Sequence, residues 1–304
     1  MRKISEKIVF FGSGPVAAQS LELLAGDFEI EAVVTKPKPP HHRGEFPVIA
    51  TAEKLGLPIH TVSSKAELSK LIAARPFRSR LGVLIDFGII VGQDTIGYFP
   101  LGIVNSHFSV LPEWRGADPI SFAILSGQKQ TGISLMLLVE AMDEGPLIAY
   151  GEYDLPPDIT APLLTTHLIH LSYALLKEEL PHYMAGKHSG APQNITGRKV
   201  SYSRKLTKQD GVIDWAKPAV ELEREIRAFI EWPKSRTQLG GKEVILTGAQ
   251  VVDGRSKPGE ILEKSQRLVI ATSDKALEIL RLKPAGKREM SAKEFLAGYG
   301  QQLS

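Results

Sequence analysis

The chain reads as an α/β protein built on a parallel-rich sheet, followed by a smaller β-rich domain. Three observations predict this. Short apolar runs alternate with helical stretches through the first part of the chain, the signature of βαβ units. Ala185–Gly197 carries Gly, Ser, Pro and Asn with no periodicity, which marks a linker. Beyond it, short strands punctuated by turns suggest a small barrel or sandwich.

The elements follow in order. Lys7–Phe11 is a strand, Gly12-Ser-Gly14-Pro15 a turn, and Val16–Leu24 an amphipathic helix. Phe28–Thr35 is the next strand, and Lys36–Phe46 a loop rich in Pro and His. Val48–Leu55 is helical, Pro58–Val62 extended, Glu67–Ala74 helical and Leu81–Asp86 extended. Leu101–Val104 and Ile133–Val139 read as buried strands, Ile120–Ser126 as a helix, and Leu163–Tyr183 as a long one. In the last part, Glu221–Phe229 is helical. Strands are expected at Val244–Thr247, Gly259–Leu262, Arg267–Ala271 and Ala276–Leu282.

The chain has 304 residues, enough for a proper core in one large or two ordinary domains. Its 43% hydrophobic and 23% charged residues are those of a globular protein. No apolar stretch approaches the roughly 20 residues of a membrane span. Met1–Lys7 leads into an apolar run too short for a signal peptide, so cytoplasm is the expected compartment. The absence of cysteine excludes disulfides, a thiol nucleophile and thiolate zinc sites. Net charge is +3, of which residues from Ser201 onward carry +5 (19 Lys/Arg against 14 Asp/Glu). That bias suits a polyanion such as RNA, and an ordinary solvated surface equally well.

Function is legible in three polar side chains. Asn105 and His107 close the Leu101–Val104 run, two apart in an extended chain, and point to one side. Asp143 comes 36 positions after His107 and follows the Ile133–Val139 run. Ligands in α/β sheets collect beyond the carboxyl ends of strands, so the three are expected to converge on one cleft. An amide donor and an imidazole can hold an oxyanion, and a carboxylate can orient the imidazole or take a proton. The set suits acyl transfer better than redox or metal chemistry, and no metal is expected. The bland alternatives are a strand-end histidine satisfied by backbone and a loop-capping aspartate. Gly12-Ser-Gly14-Pro-Val-Ala17 resembles a dinucleotide turn but lacks an acid at the end of the second strand, about 20 residues on. It reads better as a tight turn packing the first helix. His41, His42 and Arg43 lack metal-ligand spacing.

Taken together, these segments resemble the methionyl-tRNA formyltransferases over nearly the whole chain. Asn105-Ser-His107-Phe-Ser-Val-Leu-Pro112-Glu-Trp-Arg-Gly116-Ala is similar to the family's Asn-x-His-x-Ser-Leu-Leu-Pro-x-x-Arg-Gly-Ala core. Met142-Asp143-Glu-Gly-Pro resembles its Asp-Thr-Gly element. Ser201–Leu206 with Asp210–Trp215, and Leu282–Ser291, resemble the opening and closing of its C-terminal domain. The shorter glycinamide ribonucleotide formyltransferases lack that domain.

The resemblance implies a Rossmann-like formyltransferase domain over residues 1–184, a linker over 185–204, and an OB-type β-barrel over 205–304 that helps hold tRNA. It implies transfer from 10-formyltetrahydrofolate to the α-amino group of initiator methionyl-tRNA, by a monomer without a membrane partner. Catalytic roles fall on Asn105, His107 and Asp143. Folate contacts fall on Ser109, Val110, Leu111 and Pro112, and on Phe87, Gly88, Ile89 and Ile90. tRNA contacts fall on Arg43, Arg204, Lys205, Lys287 and Arg288. An amino sugar nucleotide is the alternative acceptor. The sequence departs from the family in four places. Glu113 replaces a common basic residue and Glu144 a common Thr, which makes the cleft mouth more acidic. The Lys36–Phe46 loop is short, and Ala228–Pro233 has Ile-Glu where Asn-Pro is usual.

Overall fold

The computed structural model describes residues 4–40 and 44–303. In chain order the first elements are β1 (Ile4–Phe11), α1 (Pro15–Asp27), β2 (Phe28–Thr35), α2 (Pro47–Lys54), β3 (Ile59–Thr61), α3 (Lys65–Ala73) and β4 (Leu81–Leu84). Next come α4 (Gln93–Ile96), β5 (Ile103–His107), β6 (Arg115–Gly116), α5 (Pro119–Ser126), β7 (Gln130–Leu137), β8 (Leu147–Asp154), α6 (Ala161–Met184) and β9 (Tyr202–Ser203). The chain ends with α7 (Ala219–Ala228), β10 (Ser235–Leu239), β11 (Lys242–Val252), β12 (Ile261–Glu263), β13 (Leu268–Ala271), β14 (Ala276–Pro284), β15 (Met290–Ser291) and α8 (Ala292–Tyr299). Two compact units result. The first comprises residues 1–116, 130–154 and 165–202, and the second comprises 117–129, 155–164 and 203–304.

The first unit is a seven-stranded sheet in the order β3-β2-β1-β4-β5-β7-β8. Strands β3 to β5 of that path pair in parallel, while β7 and β8 run antiparallel. The parallel part has the reversal of strand order, between β2-β1 and β4-β5, at which α/β folds bind ligands. One face of it buries Val9, Phe11, Val34, Leu84, Phe87, Phe99 and Ile103. Phe11 meets Phe87 and Phe99 edge-on, with ring centroids 5.6 and 5.9 Å apart. A Cβ on Gly12 would come 2.6 Å from that of Ala17 and 2.8 Å from the Ile85 carbonyl oxygen. The glycine turn is therefore accounted for by the packing of α1 on the sheet.

The direction of β7 overturns one expectation. This strand is antiparallel to β5, with Leu137 opposite Val104 and Ser134 opposite His107. Its carboxyl end therefore lies away from His107, and residues 138–146 must double back to bring Asp143 to the imidazole. The segment read as a linker is also not open chain. Ala191 and Leu147 exchange both backbone hydrogen bonds at 2.7 Å, and residues 193–196 form a 3-10 turn.

The second unit carries an antiparallel sheet, β10-β11-β14-β13-β12, with β15 on β14. Its core includes Leu222, Ile226, Val244, Leu246, Leu268, Leu277, Leu282 and Phe295. The expected small β domain is thus present, with α7 and α8 supplying apolar faces to its core. No helix among the described residues is long and apolar enough to cross a membrane.

Candidate active site

Strand β5 extends further than its apolar run predicts, carrying Asn105, Ser106 and His107 as its last residues, all buried. Ser106 Oγ hydrogen-bonds Ser172 Oγ of α6 at 2.7 Å. Side chains alternate along a strand, so Asn105 and His107 share the opposite face, that of Ile103 and the aromatic core.

His107 Nε2 lies 2.9 Å from the Trp114 carbonyl oxygen. A carbonyl only accepts, so Nε2 carries the proton and Nδ1 turns toward Asp143. Nδ1 stands 3.8 Å from Asp143 Oδ2, with both side chains largely buried. At that separation the two atoms are close but not directly hydrogen-bonded. The same Oδ2 accepts from the Gly116 backbone N–H at 2.7 Å.

The Asp143 turn is held from several directions. Asp143 has φ +53°, a left-handed conformation costing a non-glycine residue about 1–2 kcal/mol. A Cβ on Gly145 would fall 1.7 Å from the Leu137 carbonyl oxygen, so only glycine lets the turn lie so close to β7. Gln193, buried, donates from Nε2 to the carbonyls of Asp143 at 2.7 Å and Gly145 at 3.0 Å. Its Oε1 accepts from Arg115 at 2.6 and 3.3 Å. Arg115 also reaches Glu144 Oε1 at 2.9 Å, and Arg198 lies 3.8 Å from Glu113. Glu113 and Glu144, expected to make the cleft mouth more acidic, each face an arginine. Burial nonetheless raises the Glu113 pKa, with Arg198 opposing. Arg115, Glu144, Gln193, Arg198, Pro112 and Val200 line a groove of about 580 Å³.

The turn assigned to folate is fixed by two hydroxyls. Ser134 Oγ of β7 accepts from Leu111 N and donates to the Ser109 carbonyl, both at 2.9 Å. Thr196 Oγ1 donates to the Leu111 carbonyl at 2.8 Å, and Leu111–Pro112 is cis. Ser109, Val110, Leu111 and Pro112 are all buried. In the other segment Phe87 is buried, Gly88 has φ +65°, Ile89 is half-buried and Ile90 is exposed. Asp86 just before it has an open edge, yet burial of its carboxyl pushes it up to about 6, against the pull of Lys36.

Of the residues assigned to tRNA, Arg204, Lys205, Lys287 and Arg288 are exposed in the second unit. Arg204 grips Asp210 with both terminal nitrogens, which holds that carboxyl well below the usual range. Arg43 lies outside the described residues. Among the described residues no three His, Asp or Glu are placed together to hold a metal ion.

Sequence reasoning missed Gln193, Arg115 and Ser134. The first sits in a stretch without periodicity and the last inside a buried strand, where a hydroxyl looks like core. Arg115 was visible in the Arg-Gly-Ala motif but had no assigned role.

Residues 6–180 match the formyl transferase domain family, and residues 205–300 match the formyl transferase C-terminal domain. The methionyl-tRNA formyltransferase of Roseiflexus castenholzii is 34% identical, with 97% of this chain and 96% of the relative aligned. That of Magnetococcus marinus is 35% identical over 97% and 96%. Among solved structures, an N-formyltransferase from Helicobacter canadensis, in complex with folinic acid and dTDP-3-aminofucose, has TM-score 0.69 at 17% identity, covering 94% of this chain and all of that one. HypX from Aquifex aeolicus in complex with tetrahydrofolic acid has TM-score 0.66 at 16% identity, covering 97% of this chain and 48% of that one. These last two speak to fold alone. With both domains matched and relatives aligned end to end above 30% identity, the chain belongs to the methionyl-tRNA formyltransferase family.

Proposed function

We propose that the chain transfers the formyl group of 10-formyltetrahydrofolate to the α-amino group of initiator methionyl-tRNA. The products are N-formylmethionyl-tRNA and tetrahydrofolate. The supporting observation is the 3.8 Å approach of Asp143 to His107, beside buried Asn105, in a chain aligned end to end with methionyl-tRNA formyltransferases.

A new bond joins the amine nitrogen to the formyl carbon, and the bond from that carbon to the folate nitrogen breaks. Asn105 donates its amide N–H to the formyl oxygen as it becomes an oxyanion. His107 is the second donor, through the Nε2–H now held by the Trp114 carbonyl; catalytic hydrogen bonds often tighten only in the reacting complex. One such donor lowers the barrier by about 2.7–4 kcal/mol. Asp143 orients the imidazole and accepts, through water, the proton that the attacking amine loses. That proton ends on the leaving folate nitrogen, and no covalent enzyme intermediate forms. Ser109–Pro112 and Phe87–Ile90 hold the folate. Arg204, Lys205, Lys287 and Arg288 contact tRNA phosphates, and Arg43 is assigned to the same task. The enzyme acts as a monomer in the cytoplasm.

The test incubates the protein with formyl-folate and charged initiator tRNA and seeks N-formylmethionine on the RNA. Charged elongator tRNA and an amino sugar nucleotide serve as competing acceptors. Formylation of the sugar in preference to the RNA would overturn the assignment of the acceptor.

A further inference from the structure

In the aperiodic 185–197 segment, Gln193 has a side chain both buried and committed to the Asp143 turn. An amide side chain has two N–H donors and two acceptor lone pairs. Here the two donors go to the carbonyls of Asp143 and Gly145, and the oxygen takes two N–H groups of Arg115. Gln193 therefore clamps the backbone on both sides of Glu144, while Arg115 holds the Glu144 side chain at 2.9 Å. Arg115 is in turn the residue before Gly116, whose N–H fixes the Asp143 carboxylate.

The clamp answers a specific need. The turn doubles back from β7, carries Asp143 in a left-handed conformation, and is pressed against Leu137 at Gly145. Where the carboxylate ends relative to His107 thus depends on what holds this turn from outside. The segment carrying Gln193 is itself anchored to the same unit, through Ala191 to Leu147 and Thr196 to Leu111.

We infer that Gln193 is a positioning residue for formyl transfer, setting the alignment of Asp143 with His107 through the backbone of the Asp143 turn and through Arg115. The inference rests on the catalytic reading of Asp143. Misplacing a reacting group by about 1 Å can cost on the order of 10²-fold in rate.

The test compares Gln193→Ala, Gln193→Met, Asp143→Asn and the double variant Gln193→Ala/Asp143→Asn in the 304-residue chain, by steady-state formylation and thermal melting. Folded Gln193 variants are expected to lose about 10- to 100-fold in kcat, with KM for tRNA and folate within about threefold. The double variant should be no slower than Asp143→Asn alone, because a residue acting through Asp143 has nothing left to position. Near wild-type turnover of Asp143→Asn would defeat the catalytic reading itself. An inactive Asp143→Asn beside a fully active Gln193→Ala would defeat only the role of Gln193. Additive losses in the double variant, or failure of both Gln193 variants to fold, would assign the residue to architecture and overturn the inference.

Discussion

The backbone amide of Gly116 holds Oδ2 of Asp143 at 2.7 Å, and that same oxygen faces His107 Nδ1 at 3.8 Å. Gly116 has φ +114°, a conformation that residues with a side chain rarely adopt. Replacing it with alanine should lower kcat at least tenfold and destabilise the fold by about 1–3 kcal/mol. Thermal melts and turnover measured on one preparation check both.

Asn105→Ala and His107→Ala should each reduce turnover by about 10²–10³-fold, the range for a lost oxyanion donor, and Asp143→Asn by about 10²–10⁴-fold, the range for a lost general base. Circular dichroism should remain that of the wild type. Retained activity in any folded variant removes that residue from the chemistry.

Ser134→Ala leaves the buried Leu111 N–H and Ser109 carbonyl without their shared partner. A loss of about 1–3 kcal/mol in urea unfolding follows, together with a raised KM for folate if the 109–112 turn contacts it. An unchanged KM would separate that turn from the folate site.

Burial raises the Asp118 pKa, opposed by hydrogen bonds from Ser121 at the start of α5. The folded state therefore binds this proton more tightly than the unfolded chain, and stability falls as pH rises from the unfolded pKa through the folded one. Asp118→Asn keeps the cap and removes the buried charge. It should melt higher than wild type at pH 7, with the gap closing as pH falls toward about 4, the ordinary Asp pKa. A gap that widens on acidification refutes the sign.

Lys287, Arg288 and Arg204 are all exposed, but Arg204 also grips Asp210. Neutralising Lys287 and Arg288 should weaken tRNA binding and flatten its salt dependence, by roughly one unit of slope for each phosphate no longer neutralised. Arg204→Ala should instead loosen the Thr207–Asp210 cap with a smaller change in slope. Binding measured over a range of salt concentrations distinguishes them.

Much of this was legible in the residues. Strand β2 falls where its apolar alternation places it, and α5 and α6 within two residues of their expected ends. The three catalytic candidates lie in one unit, two of them within reach of each other, but for a different reason from the one expected. Strand direction is set by pairing across the sheet, which a single run of apolar residues does not encode. Strand β8 escaped because Leu147–Asp154 lacks clean alternation. Helix α8 was available in principle: Ser291 and Glu294 form a reciprocal capping box, the Ser-x-x-Glu signal. The acidic departures at Glu113 and Glu144 read as a change of charge because their arginine partners are distant in sequence or unassigned. Gln193 acts through hydrogen bonds alone and so leaves no trace in hydrophobic periodicity.

The fold-back of residues 138–146 also has a bearing on the order of synthesis. Asn105, His107 and Asp143 all emerge from the ribosome before Gln193 and Ser201, whose backbone binds both Pro112 and Arg115. A nascent chain arrested after Met184 would thus contain every reacting group yet lack the struts that aim them. Completion of the site therefore requires the stretch that includes the 193–196 3-10 turn to be in place against the sheet.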